Sequence, residues 1–99
     1  MENYTRDIIT LGNSAVLEQN TPNPFSDETT IRYTIPAGFR SAVLQISDAK
    51  GNVLKTYPIS EAGKGELVIR AGELAAGTYQ DSLIVDGKRI DTKQMLLVK

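Results

Sequence analysis

The chain has 99 residues, enough for one domain with one modest core. With 40% hydrophobic and 23% charged residues it is globular, and its 11 Lys+Arg nearly cancel 12 Asp+Glu, so no overall field favours nucleic acid or an anionic membrane. Cysteine and histidine are both absent, which excludes disulfides and thiolate metal sites and removes the usual general base.

Residues 1–14 alternate weakly through Ile8, Ile9 and Leu11 and end at Gly12-Asn13-Ser14; they read as a linker or the end of a preceding region. Glu2, Arg6 and Asp7 stand where the apolar core of a secretory signal would begin, so these residues do not read as such a signal; if the protein is exported, its signal lies on a part outside this sequence. Residues 16–20 predict a short strand. Thr21-Pro22-Asn23-Pro24-Phe25 cannot be helix, because each proline fixes its φ, lacks an N–H and pushes the preceding residue into extended geometry. Residues 29–35 alternate, with Ile31, Tyr33 and Ile35 on one face and Thr30, Arg32 and Thr34 on the other. Pro36-Ala37-Gly38 ends that strand. Ala42, Leu44 and Ile46 form the next inward set, followed by a hairpin loop at Asp48-Ala49-Lys50-Gly51-Asn52. Residues 53–59 return, Gly63-Lys64-Gly65 reads as a turn, and Leu67 and Ile69 face inward from the following strand. Residues 71–77 predict a crossing loop, residues 78–85 a strand, Asp86-Gly87 a two-residue turn and residues 89–98 the last strand. About seven strands, with turn signals roughly every 8–12 residues, predict an all-β, immunoglobulin-like antiparallel β-sandwich over residues 15–99.

No enzyme is indicated. Nucleophilic catalysis needs a base beside a hydroxyl or thiol, and the Lys and carboxylate residues fall in no such pattern. No glycine-rich loop opens a helix, so neither a phosphate cradle nor any other cofactor or small-molecule site is expected. Asp48, Asp86 and Asp91 sit in or next to turns, where Asp bonds the nearby backbone; that explanation outweighs calcium.

Three short stretches stand out. Pro22-Asn23-Pro24-Phe25 is either a stiff extended lead into a sheet edge, with Phe25 over one end of the core, or a pre-ordered recognition element that loses little entropy on docking. Gly77-Thr78-Tyr79 leads into a strand, glycine standing where a Cβ would crowd and Tyr79 burying its ring with the hydroxyl bonded near the rim. Lys93-Gln94-Met95-Leu96-Leu97-Val98-Lys99 places four apolar residues in a row, where a strand with one wet face would alternate. That stretch is either a doubly covered central strand or an edge strand open to pairing with a partner. Lys88, Arg89, Lys93 and Lys99 against Asp91 give the end of the chain a positive bias, for which a solvated face is the default reading.

Taken together, Leu17-Glu18-Gln19-Asn20-Thr21-Pro22-Asn23-Pro24-Phe25, Thr29-Thr30-Ile31-Arg32-Tyr33, Ala76-Gly77-Thr78-Tyr79 and the stretch from Lys93 to Lys99 resemble the type A C-terminal sorting domain of type IX secretion system cargo. The resemblance runs from about Val16 to the last residue. It implies an Ig-like domain that acts as an export address in a Gram-negative, Bacteroidota-type bacterium. An upstream cargo crosses the inner membrane by a separate signal and folds in the periplasm. The outer-membrane translocon and its shuttle protein then recognise the domain, and a sortase commonly removes it and joins the cargo to the cell surface. A cut of that kind falls within residues 1–17. The recognition residues it implies are Pro22, Asn23, Pro24, Phe25, Gly77, Tyr79, Lys93, Met95, Leu96, Leu97, Val98 and Lys99. Lys93 and Lys99 are expected to supply charge for docking, and residues 95–98 strand and apolar contact.

Two positions depart from the family pattern, which tends to place aromatic residues where Ser47 and Asp81 stand. Asp81 shares parity with Tyr79, Leu83 and Val85, the inward side, where an unpaired carboxylate costs several kcal/mol. The stretch is therefore expected at the rim of the sandwich or on a less closed face; if both positions lie outside, losing two aromatics reduces self-association. Competing readings are an adhesion or carbohydrate-binding module and a structural Ig-like module. The first lacks an aromatic platform, with no Trp, four Tyr and two Phe. The second does not call for the motif of residues 93–99.

Overall fold

The computed structural model describes residues 14–72 and 74–99. Seven strands follow in chain order: β1 (Val16–Leu17), β2 (Glu28–Ile35), β3 (Ala42–Asp48), β4 (Val53–Pro58), β5 (Gly63–Arg70), β6 (Gly77–Val85) and β7 (Lys88–Leu97). They form two antiparallel sheets, ordered β1-β2-β5 and β4-β3-β6-β7. This is the expected all-β sandwich, with no helix among the described residues. The expected linker lies outside the described residues except for Ser14.

The two-residue period of the strands sorts the side chains. On β2, Thr29, Ile31 and Ile35 are buried and Tyr33 is half-buried, facing Ile69, Leu67, Gly63 and Gly65 of β5. The other face of that sheet is wet and carries the ion pairs Arg70–Glu28 (2.7 Å) and Arg32–Glu66 (3.7 Å). In the larger sheet β3 and β6 are central and the most buried, with Ala42, Leu44 and Ile46 opposite Val85, Leu83 and Asp81. Leu17, Phe25, Met95 and Leu97 complete the core between the sheets. Along the edge strand β4 Tyr57 is half-buried and the other residues are exposed.

Gly63-Lys64-Gly65 is not a turn. It opens β5, and residues 59–62 carry the chain from one sheet to the other. The glycine at 65 answers to a close approach: a Cβ there would lie 2.7 Å from Cε1 of Tyr33, whose ring covers the position. Residues 53–59 shorten to a strand ending at Pro58, although the Ile59 N–H still donates to the carbonyl of Ala42 (2.8 Å) just beyond it.

The turn aspartates do what their placement predicts. Asp48 Oδ1 accepts the N–H groups of Lys50 and Asn52 (both 2.9 Å), and Oδ2 accepts Nδ2 of Asn52 (3.0 Å). The Asn52 side chain, then its backbone N–H, holds the Asp48 carboxyl below its ordinary range. Asp86 Oδ1 accepts the N–H groups of Ser41 (2.9 Å) and Arg40 (2.7 Å), which lowers its pKa and ties the β6–β7 turn to the β2–β3 loop.

Candidate functional site

The proline box sits between the sheets and joins them. Thr21 bridges to Thr30 on β2, and Phe25 bridges in parallel to Leu97 on β7. Residues 22–24 between these anchors bend, so the box is not the straight extended segment expected; both Thr21-Pro22 and Asn23-Pro24 are cis. The bend exists because the chain must leave one sheet and reach the other within three residues.

A buried pair holds the bend from behind. Asn20 Nδ2 donates to Thr29 Oγ1 (2.9 Å) and to the carbonyl of Pro22 (3.2 Å), and Thr29 Oγ1 donates to the same carbonyl (2.8 Å). Gln19 Nε2 donates to Asn20 Oδ1 (2.7 Å). Buried polar groups are stable when bonded in this way. Residues Gln19, Asn20 and Thr29 belong to the site but were absent from the sequence-derived set, although Gln19-Asn20 and Thr29 lie inside the stretches that carry the resemblance.

From this support the box reaches β7. Asn23 Oδ1 accepts the N–H of Leu96 (2.9 Å), and Asn23 Nδ2 donates to the carbonyl of Gln94 (3.4 Å). Gln19 Nε2 donates to that same Gln94 carbonyl at 2.6 Å. Phe25 donates its N–H to the carbonyl of Leu96 and accepts the N–H of Val98, both at 2.9 Å. A side-chain amide and one residue of backbone thus do the work of a neighbouring strand. β7 is an edge strand by sheet order, yet over residues 94–98 its outward edge is already bonded. The Asn23 carboxamide, an N–H donor and a C=O acceptor on one carbon, is well suited to imitate a backbone peptide group.

The apolar run of β7 divides by parity. Met95 and Leu97 are each 1% exposed and lie in the core, whereas Leu96 and Val98 are 40% and 44% exposed. Met95 pairs with Tyr79 and Leu97 with Gly77. Tyr79 is buried, and its hydroxyl donates to the carbonyl of Ala75 (2.6 Å). No atom within 4 Å would meet a Cβ at Gly77, so crowding is not the reason for glycine there; its φ of +155° is. Pro22, Asn23 and Pro24 are exposed beside Leu96, and Phe25 is buried. Lys93 forms an ion pair with Asp91 (3.4 Å), and Lys99 Nζ reaches the carbonyl of Gly72 (3.4 Å).

Of the two departures, Ser47 lies on the outer face of the larger sheet, opposite Gln80, although its neighbours cover it. Asp81 does not lie at the rim or outside. It is 0% exposed, on the inner face, and neither carboxylate oxygen has a hydrogen-bond partner. Burial pushes its pKa from the ordinary 3.8 up to about 7, against smaller opposing effects of its own backbone N–H and Lys93. Period-two parity placed it correctly; the cost of burying a carboxylate argued for the rim and was overruled by the continuous register of β6 between β3 and β7.

Among the described residues no group of three or more acidic residues could hold a metal ion. No curated protein matches the chain. A family model described as a secretion system C-terminal sorting domain matches residues 21–98. The matched span takes in the proline box, the Gly77–Tyr79 approach and all of β7, so both halves of the bonded unit lie inside it. The chain belongs to the family of secretion system C-terminal sorting domains, the sorting signals of type IX secretion.

Proposed function

We propose that residues 15–99 direct a larger cargo protein across the outer membrane through the type IX translocon, for release or cell-surface attachment, with the shuttle protein and then the sortase as readers. Residues 1–14 link the domain to that cargo and, with residues 15–17, contain the cut. The domain is an address and performs no catalysis. The observation that supports this most is the bonding of the proline box to residues 94–98, which turns two distant sequence motifs into one surface. On this reading Pro22, Asn23, Pro24, Leu96, Val98, Lys93 and Lys99 meet the receptor, while Phe25, Gly77, Tyr79, Met95 and Leu97 act by holding that surface in shape.

The test is delivery. Residues 15–99 are fused to a fluorescent cargo with an N-terminal export signal, in a host with the type IX machinery. A version lacking residues 94–99 is expected to stay in the periplasm, and so is Leu96→Ser with Val98→Ser, whose exposed positions leave the core intact. Equal surface delivery of all three would reject the role of this face.

A further inference from the structure

Asp81 sits in the middle of β6 with β3 on one side and β7 on the other. Across β3 it meets Ile46; Lys55 lies one strand further on that face and is exposed, and the carboxylate of Asp48 is engaged in the β3–β4 turn. Across β7 it meets Lys93, whose ammonium is drawn to Asp91 instead. The opposing sheet turns apolar residues inward together with Thr29 and the phenol of Tyr33, and no charged group. Buried carboxylate oxygens without partners are stable only while protonated. Once ionised, the group gains most by reaching water.

The cheapest route to water runs past β7. Moving β3 would strip β4 and uncover Ala42, Leu44 and Ile46, whereas residues 88–93 of β7 are an edge. Their pairing with β6 is already interrupted by a bulge that leaves Ile90 40% exposed. Beyond them, residues 94–98 are fastened by Gln19, Asn23 and Phe25. We propose that Asp81 makes residues 88–93 a proton-controlled flap: as its carboxyl ionises, the hairpin half of β7 opens from β6 while the half bonded to the proline box stays in place. The flap stands whether or not the domain is an export address.

Native-state hydrogen exchange on the whole chain tests this. The chain has no histidine, so the window between pH 5 and pH 7 is free of side chains that ordinarily titrate there. The opening population reported by the Asp91 and Lys93 amides, which face β6 while the Thr92 N–H turns outward to Asp91 Oδ1, is expected, after correction for intrinsic exchange, to rise about fiftyfold from pH 5 to pH 7, as a group moved from 3.8 to about 7 requires. It is expected to exceed the opening of the β2 and β5 amides throughout. Asp81→Asn and Asp81→Leu, each checked for the native amide spectrum, are expected to flatten the rise. The proposal is overturned by a pH-independent opening at the Asp91 and Lys93 amides. It fails equally if the rise persists in both variants, or if the Asp91 and Lys93 amides open only together with β2 and β5.

Discussion

Tyr33 and Gly65 face each other across the pairing of β2 and β5, and the tyrosine ring occupies the space a β-carbon would need. Tyr33 is half-buried, so its ring can swing outward at the expense of its packing. Gly65→Ala is expected to lower the unfolding free energy by about 1 kcal/mol, the lower end of the cost of overfilling a packed site. In a Tyr33→Ala background the same change should cost nothing, and it should stabilise slightly because alanine loses less backbone freedom in a strand than glycine. Urea denaturation of the four proteins of this cycle measures both values. A Gly65→Ala cost that persists without the ring would mean that the backbone, not Tyr33, demands glycine.

At the scale of elements, β7 is ordered by two sets of partners, β6 along one edge and a folded loop along the other. Asn23→Ala removes the acceptor for the Leu96 N–H and one donor to Gln94. It is expected to expose the Leu96 amide to exchange at a local cost of about 1–3 kcal/mol, leaving β2 and β5 amides protected. Asn23→Asp retains the acceptor and should restore most of the Leu96 protection; loss equal to that of alanine would show that the donor to Gln94 matters more. The elements themselves were legible, because alternation in β2, the inward triplet of β3 and the Asp86-Gly87 turn are local signals. The opening of β5 was not, because two glycines two apart imitate a turn when the ring that explains one of them lies 32 positions earlier. The motifs of the site were legible singly. Their union was not: a hydrogen bond spanning 73 positions leaves no periodicity, and the burial of Met95 and Leu97 depends on which edge of which sheet receives β7.

For the whole molecule, Asp81 sets the sign of the pH dependence. Its carboxyl binds a proton more tightly folded than unfolded, so its contribution to stability is full below about pH 4, falls as pH rises to about 7 and then levels off; Asp48 and Asp86, held low, act in the opposite sense only on the acid side of about pH 4. The move from 3.8 to about 7 corresponds to about 4 kcal/mol, a large share of the ~5–15 kcal/mol that keeps a domain folded. Guanidinium unfolding at pH 5 and pH 8 should show the wild-type chain weaker at pH 8 and Asp81→Asn nearly level; a wild-type chain stronger at pH 8 would contradict the burial of an unpaired carboxylate. The two sides of the sandwich are also unlike. The β1–β7 side is fastened by the proline box, whereas the edges of β4 and β5 flank a groove of about 540 Å³ lined by Ile46, Leu54, Tyr57, Ile69 and Leu74. On that side Lys55, Pro58 and the bulge opposite Ile46 and Ser47 guard β4 against pairing with foreign strands.

The fastening has a temporal meaning. Gln19 and Asn23 wait for acceptors and donors that lie 71 to 75 positions ahead, so during synthesis that corner stays ragged until the ribosome has passed residue 98. A chain cut short by a few codons keeps its early motif but never gives it a shape. On the proposed reading, a receptor for this corner would meet no formed surface on a chain that stops before residue 94.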